Sequence, residues 1–269
     1  MPQLGLGIGS QISGGKLTIY DTDALTYINA VQAADGQSLE NGIKIAINDF
    51  VVGCKSDGIW TSIVNSCIMA GANTLSGALI PLVGTAPGNV GFTSSDYNRK
   101  TGLIGNGTSK YLATAYNNTV LPTDNDHLSC YVTQAPTIGA ATKIFIGTAT
   151  GSGGRLYIAC NTTSGLNFKN RTSLTAGITI ANEGITTGFK GNTRSGPTST
   201  IFRTSQANTS DATASTTLIS QTIGIFAATT PVQYTDARMS FYSLGTNIDL
   251  ALLDSRITTF MNTLNSILP

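Results

Sequence analysis

The chain has 269 residues, a formal net charge of +1 at pH 7, and charged side chains at only 11% of its positions. This length can bury a sizeable core in one or two domains. The basic residues are too sparse to form the dense stripe that neutralises a row of phosphates, which argues against nucleic-acid binding. No apolar stretch is long enough to cross a bilayer, and the N-terminus lacks the basic region of a signal peptide.

Residues 1–20 make up a glycine-punctuated arm in which Leu4, Leu6 and Ile8 alternate with glycine. The spacing G-x-G-x-x-G is absent and no strand precedes the glycines, which argues against nucleotide binding. The segment KLTIY, which begins at Lys16, predicts a short strand. Because disordered tails are usually polar or charged and this one is apolar, we predict an extended arm that docks on a partner or joins an oligomer contact.

Residues 21–80 have the periodicity of a small helical subdomain. The first predicted helix has its N-cap among residues 21–23 and ends at Gly36, and the second begins near Ser38. A third helix is predicted over 59–70. The apolar residues at helical spacing are Ile43, Ile47, Phe50, Val51 and Cys54 in the second helix, and Ile59, Ile63, Cys67 and Ala70 in the third.

Residues 81–269 follow a different pattern, in which short apolar runs alternate with clusters of Gly, Pro, Asn and Ser. Regular short strands with turn signals predict a two-sheet antiparallel sandwich over about 85–245. Residues 247–266 return to helical spacing and predict a terminal helix. Its apolar positions are Leu250, Leu253, Ile257, Phe260, Met261 and Leu264.

Three segments resemble strands of concanavalin A-like, laminin-G-like jelly rolls: GLIGNGTSKYLATAY, NDHLSCYVTQAP and TDARMSFYSLGTNIDLALLDSRITTFMNTL. The resemblance implies a mainly β fold, with an antiparallel jelly-roll sandwich preceded by the helical subdomain and closed by the C-terminal helix. In that family the last strand is followed by a short helix that lies against the sandwich. We therefore expect the terminal helix to cover one end of a sheet.

A second resemblance extends over nearly the whole chain. DALTYINAVQAADGQSLENGIKIAINDFVVGCKSDGIW, AGANTLSGALIPLVGTAP, YNRKTGLIGNGTSKYL and FYSLGTNIDLALLDSRITTFMN are similar to a family of tailed-bacteriophage virion structural and tail-fibre proteins. The resemblance implies a non-enzymatic virion component, assembled in the bacterial host cytoplasm with other virion proteins. It implies a surface-displayed fibre tip or receptor-binding protein with a lectin-like sandwich, or else a head fibre or capsid decoration protein.

The same resemblance favours a homotrimer over a dimer, since phage fibre and tip proteins are commonly three-fold, and it allows a host-surface glycan as ligand. Two hypotheses from other classes stay open, namely a free carbohydrate-binding lectin and a polysaccharide depolymerase. A glycan array separates binding from pure architecture, and a reducing-end assay on host polysaccharide detects a depolymerase.

The residues for hydrolysis are missing. Glycosidases need two carboxylates that flank the scissile bond, yet the chain has two glutamates, Glu40 in the helical segment and Glu183 alone in TIANEGITT. A Ser-His-Asp triad would require His127, the only histidine, which we interpret as a strand-edge or satisfied polar residue. We predict no catalytic residues and no activity that depends on Glu183 or His127.

No cofactor or metal site is predicted. The four cysteines, Cys54, Cys67, Cys130 and Cys160, form no C-x-x-C pair, and we interpret them as small buried hydrophobes from a reducing compartment. Residues 124–127, with the sequence DNDH, could offer oxygen ligands to calcium, but a turn is favoured because the spacing matches no EF-hand loop.

Carbohydrate-binding residues are not identified by the sequence. Trp60 is the only tryptophan, and its place among the helices predicts packing within that subdomain. Tyrosines near turns could line a glycan groove, although tyrosines at strand ends are common in any sandwich. These tyrosines are Tyr97, Tyr116, Tyr157 and Tyr234.

Overall fold

The fold is seen in a computed structural model, which describes residues 10–13, 16–148, 154–173, 175–204, 207–218, 220–228 and 232–269. Its α-helices are α1 (Thr22–Asp35), α2 (Asn41–Ser56), α3 (Leu75–Ala78) and α4 (Leu250–Ile267). None of the described helices combines the length and apolar character needed to cross a membrane.

The first nine described strands are β1 (Ser10–Ser13), β2 (Lys16–Ile19), β3 (Ile63–Ile68), β4 (Pro81–Val83), β5 (Gly88–Val90), β6 (Tyr97–Asn98), β7 (Gly102–Ile104), β8 (Tyr111–Asn117) and β9 (Asp126–Gln134). The others are β10 (Lys143–Thr148), β11 (Arg155–Cys160), β12 (Leu166–Thr172), β13 (Ile178–Ile180), β14 (Gly188–Gly196), β15 (Ser199–Thr204), β16 (Ala207–Asp211), β17 (Thr222–Ile225) and β18 (Arg238–Gly245).

Two large sheets build the body. One has seven strands in the order β13-β12-β11-β10-β17-β8-β5. The other has nine, with the path β16-β15-β14-β9-β18-β3-β4 and β6 and β7 attached beside β18. Every pair of neighbouring strands in these sheets is antiparallel. The predicted antiparallel sandwich is therefore confirmed.

The first helix begins and ends as the sequence predicts, and the second differs at its start. Asp21 caps α1 by accepting a hydrogen bond from the Asp23 backbone N–H at 3.0 Å, and Gly36 ends the helix in the left-handed region with φ 66°. The helix α2 begins at Asn41 with Glu40 in the N-cap position, so the cap predicted at Ser38 is wrong.

The predicted third helix is also wrong. The segment 63–68 is the strand β3, which lies between β18 and β4, so the nine-stranded sheet includes one strand from before residue 81. Ile68 packs toward the helices while Cys67 faces the space between the sheets. A strand buried on both faces is a continuous apolar run that also satisfies helical spacing, and tertiary pairing decides between the two.

Two separate cores hold three layers together. The first lies between the sheets, where Phe168 of β12 and Phe202 of β15 meet with ring centroids 5.0 Å apart. The second lies between the helices and the outer face of the nine-stranded sheet. There Phe50 of α2 contacts both Phe241 of β18 and Phe260 of α4, each at 5.9 Å.

The terminal helix α4 lies across the outer face of the nine-stranded sheet beside α2, and not on one end of a sheet as expected. The strands below it carry large outward side chains such as Phe189 and Phe241, which only a helix layer can cover. It begins at Leu250, because Asp249 accepts hydrogen bonds from the backbone N–H groups of Ala251 and Leu252.

The N-terminal arm is described only in part. The strands β1 and β2 form an antiparallel hairpin, which confirms the strand predicted from KLTIY. The docking or oligomer role predicted for residues 1–20 stays a prediction, and residues 1–9, 14 and 15 of this arm lie outside the described residues. The division of the chain at residues 20 and 80 stays a prediction.

Candidate ligand-binding site

Loops from both sheets meet at one end of the sandwich. In the nine-stranded sheet, Asp126 opens β9 opposite the end of β14, where Arg194 lies. In the seven-stranded sheet, Thr172 ends β12 opposite Arg155 at the start of β11. Loops that a rigid scaffold holds together often carry binding residues. We call this region the loop end.

A groove of about 230 Å³ opens at the loop end. We call it the Arg171 groove, because Arg171 is the only charged residue among the described residues that line it. Its other lining residues are five with hydroxyl groups and one apolar residue: Thr119, Thr123, Ser215, Thr216, Thr217 and Leu218.

One wall of the groove is held by its backbone. The Thr216 N–H donates to the Arg171 carbonyl at 2.6 Å, and the Ser215 N–H donates to the Pro197 carbonyl at 2.8 Å. The Thr217 carbonyl accepts from the Gly154 N–H at 2.9 Å. The Thr216 hydroxyl also donates to the Arg171 carbonyl at 3.0 Å, so of the two exposed threonines on this wall, 216 and 217, it is the Thr217 hydroxyl that faces solvent without this bond.

A β-bulge directs Arg171 into the groove. Arg155 pairs with Thr172 and Leu156 pairs with Asn170, so Arg171 is the extra residue of β12. Its φ is 53°, in the left-handed region that costs a non-glycine residue about 1–2 kcal/mol. Bulges re-aim side chains, and local strain of this kind is common at binding sites.

The guanidinium of Arg171 is held from behind. Its Nε donates to the Asp126 carboxylate, and its Nη2 donates to the carbonyls of Leu121 at 2.9 Å and Pro122 at 3.1 Å. Among the described residues, Nη1 has no acceptor. The arginine side chain is therefore fixed by three partners and keeps one nitrogen uncommitted.

A buried polar network supports this ion pair. Asn170 donates to the Asp126 carboxylate at 2.7 Å, and Arg194 donates to both the side-chain oxygen and the carbonyl of Asn170, at 3.2 and 2.7 Å. Burial raises the pKa of Asp126, against the lowering effect of Arg171. A pair this deeply buried costs desolvation, which its close geometry and extra hydrogen bonds offset.

The same end contains buried polar atoms that the described residues leave without a partner. The hydroxyls of Thr172 and Thr200 are in this state, and both residues are almost fully buried. One carboxylate oxygen of Asp124 and one of Asp211 also lack partners within the described part of the chain. Since buried polar groups are normally satisfied, this end is more polar than packing alone requires.

The structure buries His127 inside the nine-stranded sheet. It lies in β9 between two neighbouring strands, so it is not at a sheet edge. Its Nδ1 lies 2.6 Å from the Thr246 carbonyl and its Nε2 lies 2.9 Å from the Ser243 hydroxyl. Complete burial lowers its pKa from 6.5 to about 4. The interpretation as a satisfied polar residue is confirmed.

The two glutamates are not brought together. Glu40 precedes α2 and forms a two-pronged ion pair with Arg99, whose Nη1 lies 2.8 Å from Glu40 Oε1. Glu183 lies in the turn before β14, and its Oε2 accepts a hydrogen bond from the Thr186 hydroxyl at 2.8 Å. Neither residue lines the Arg171 groove.

The prediction that the cysteines are buried agrees with the structure, whereas the turn predicted at residues 124–127 is only partly present, because Asp126 and His127 open β9. All four cysteines are buried and unbridged. Burial raises the pKa of Cys54 and of Cys130 to about 12. The chain turns at 123–124, and the described residues contain no group of three potential ligands that could hold a metal ion.

The aromatic residues lie elsewhere. Trp60 packs beside α1, as predicted, and its Nε1 donates to the Asp23 carboxylate at 3.1 Å. Tyr157 is buried, and Tyr234 meets Tyr111 edge to face at 6.3 Å. None of the four candidate tyrosines lines the Arg171 groove, and neither does Trp60.

Two other grooves have charges that are already paired. The groove of about 330 Å³ beside α4 is lined by Arg203 and Asp254, which form an ion pair at 2.8 Å. The groove beside Trp60, of about 240 Å³, contains Asp23, which pairs with Lys55 at 2.6 Å. Because these charged groups are paired and a carboxylate lines each groove, neither groove is comparable to the Arg171 groove, whose described lining residues include no carboxylate.

Sequence reasoning did not single out Arg171. The segment GLNFKNRT was recognised only as a strand. Its consecutive polar residues Lys169, Asn170 and Arg171 are a weak signal that the strand end is not ordinary core, but no motif links them to Thr119 or Thr216.

Comparison with known proteins gives structural matches alone. No protein-family model matches the chain, and no curated protein matches it significantly. A mutant Trypanosoma rangeli sialidase displaying trans-sialidase activity aligns at 9% identity over 80% of this chain and 39% of its own, with a TM-score of 0.47.

Two further structures also align with this chain. The botulinum neurotoxin serotype D binding domain matches at 10% identity over 77% of this chain and 52% of its own, with a TM-score of 0.49. The CBM40 domain of the Ruminococcus gnavus IT-sialidase matches at 8% identity over 60% and 96%, with a TM-score of 0.37. Similarity at this level does not carry a function to this chain.

Proposed function

We propose that the protein is a non-enzymatic structural component of a bacteriophage particle, displayed on its surface as a fibre tip or receptor-binding protein that binds a host glycan. The observation that carries the binding role is the Arg171 groove, with its five hydroxyl residues around one fixed arginine at the loop end. The phage setting rests on the sequence resemblance, and a head fibre or capsid decoration protein is the alternative placement within it.

The groove suits a sugar because of its donors and acceptors. Hydroxyl groups both donate and accept hydrogen bonds, and an arginine donates several in a fixed plane, so together they match the many hydroxyls of a glycan. No aromatic ring lines the groove to stack on a sugar face. We therefore expect weak binding at each site, which several copies on one particle would strengthen through avidity.

A binding role fits the groove better than hydrolysis. Glycosidases of the common kind place two carboxylates on either side of the scissile bond. The residues that line the Arg171 groove include no carboxylate, and the nearest one in its network, Asp126, is fully buried against Arg171. A free lectin and a depolymerase become outcomes of the experiments below.

The test is a host-glycan array with the full chain and two matched variants. Thr217→Val removes one hydroxyl from the Arg171 groove at nearly constant volume, and Thr259→Val makes the same change in the groove beside α4. We expect Thr217→Val to weaken binding about fivefold, equivalent to about 1 kcal/mol, and Thr259→Val to leave it unchanged.

An array without binding, or a loss caused only by Thr259→Val, contradicts the proposed site. New reducing ends after incubation with host polysaccharide would identify a depolymerase. A cryo-EM map of the particle shows whether the protein lies on the tail or on the head. Absence of the protein from the particle would contradict the virion role.

A further inference from the structure

The charge that faces the Arg171 groove is positive. Among the described residues that line it, Arg171 is the only charged one, and the carboxylate that balances it, Asp126, has no exposed surface. Arg171 is itself only 3% exposed, so the groove offers a ligand a small part of the cation and none of the anion of the pair. Fields in a partly dry cleft are stronger than at an open surface.

The geometry of the guanidinium leaves a specific place for an acceptor. Nε and Nη2 are committed to Asp126, Leu121 and Pro122, and Nη1 has no acceptor among the described residues. These three fixed partners prevent the side chain from rotating away. A ligand at Nη1 therefore meets a donor that is already oriented and loses little conformational entropy.

The surrounding residues extend this site. Thr119, Thr123 and Thr217 lie on its rim, and all three are exposed. The Thr119 hydroxyl already donates to Asn117 Oδ1 at 2.9 Å and can still accept a hydrogen bond. The hydroxyls of Thr123 and Thr217 can bond to the ring hydroxyls of a sugar while Nη1 bonds to a charged substituent. Hydrogen bonds between an ionised donor and a carboxylate are about twice as strong as neutral ones.

On these grounds, and resting on the proposed function, we propose that the Arg171 groove selects sugars that carry a carboxylate, as uronic acids do. The guanidinium nitrogen Nη1 contacts the carboxylate, and the threonine hydroxyls contact the ring. The grooves beside α4 and beside Trp60 have a carboxylate of their own in the lining, Asp254 and Asp23, which disfavours an acidic ligand there.

The experiment titrates the full chain, isotopically labelled, with two matched pairs of sugars followed by NMR. Glucuronate is compared with glucose, and galacturonate with galactose, because each pair differs only in the carboxylate. We expect at least one acid to bind roughly tenfold more tightly than its neutral partner, since a charge-assisted hydrogen bond replaces a neutral one. Added salt should lower the affinity for the acidic sugar and leave the affinity for the neutral sugar unchanged.

Two variants locate the effect. The double variant Arg171→Gln/Asp126→Asn removes both charges together, so it avoids an unpaired buried carboxylate, and it should abolish the preference for the acid. Thr217→Val should lower the affinity for the acidic sugar and for its neutral partner by the same factor. A folded spectrum of each variant accompanies the titration.

Equal affinity for acid and neutral sugars overturns the selectivity while the proposed glycan binding stands. The same is true if the double variant keeps its preference for the acid. If the double variant does not fold, salt dependence and chemical shift changes at residues 119, 171 and 216–217 decide in its place. Binding of none of the four sugars, together with an empty host-glycan array, overturns both the selectivity and the proposed function.

Discussion

His127 shows how a single polar side chain is accommodated inside the sheet. Both ring nitrogens have partners, the Thr246 carbonyl and the Ser243 hydroxyl, and Ser243 also lies 2.8 Å from the Ser129 hydroxyl. The residue is fully buried, so charging the ring would remove a cation from water without a carboxylate to balance it. The side chain is therefore neutral in the folded protein.

This burial predicts a loss of stability in acid. The pKa of His127 is about 4 in the folded state against 6.5 as its ordinary value, so between these pH values the unfolded chain binds the extra proton. The free energy of unfolding should fall as the pH drops from 6.5 to about 4, by about 3 kcal/mol in all. Urea unfolding at several pH values measures it.

The control is His127→Gln, which keeps a polar side chain and does not titrate in this range. Subtracting its pH profile from that of the natural protein removes the contribution of the carboxylates. Parallel profiles would show that His127 does not control acid stability.

Arg171 makes a different point at the same scale. A residue in the left-handed region with a buried ion pair is an expensive arrangement for an ordinary strand end. The bulge and the buried network together hold the Arg171 side chain at the groove. The binding role that we propose for it rests on its position beside threonines distant in sequence, which no local sequence pattern contains.

At the scale of elements, α4 depends on the layer beneath it. Its buried residues meet α2 and the nine-stranded sheet, and Phe260 contacts Phe50 edge to face at 5.9 Å. An isolated helix of this length is marginal in water, so most of its stability must come from this packing.

We therefore expect Phe260→Ala to lower the free energy of unfolding by about 3–5 kcal/mol, because it opens a cavity between α2 and α4. Leu252→Ala is the matched control, since Leu252 lies on the same helix and is 36% exposed. Its effect should be within about 0.5 kcal/mol. Chemical denaturation of both variants is the measurement, and similar losses would mean that α4 is not anchored by the Phe50 contact.

The same scale explains where prediction from sequence succeeded and failed. The helices α1, α2 and α4 were predicted because each has an apolar face on one side and a recognisable start or end. The strand β3 was assigned as a helix because Ile63 and Cys67 satisfy helical spacing, while its hydrogen-bond partners in β18 are distant in sequence. Spacing cannot reveal a partner that far away.

At the scale of the whole molecule, we predict that the chain forms a homotrimer in which residues 1–20 take part. Light scattering of the full chain should give about three times the monomer mass of 27.9 kDa, and a chain that begins at Asp21 should give a smaller assembly. The apolar arm sequence is the physical reason, since it can bury its side chains only against a partner. A monomer mass for both chains would leave docking to other virion proteins as the role of the arm.

The amino-acid sequence by itself determined the antiparallel sandwich, the helices with clear caps, the buried cysteines and the satisfied histidine. These features depend on local periodicity and on turn or cap residues, which act over a few positions. Only the tertiary structure decided that β3 is a strand, that α4 covers a sheet face, and that Arg171 meets Asp126 and Thr216. Each of these depends on contacts between distant segments, and such contacts exist only once the sheets have paired and packed.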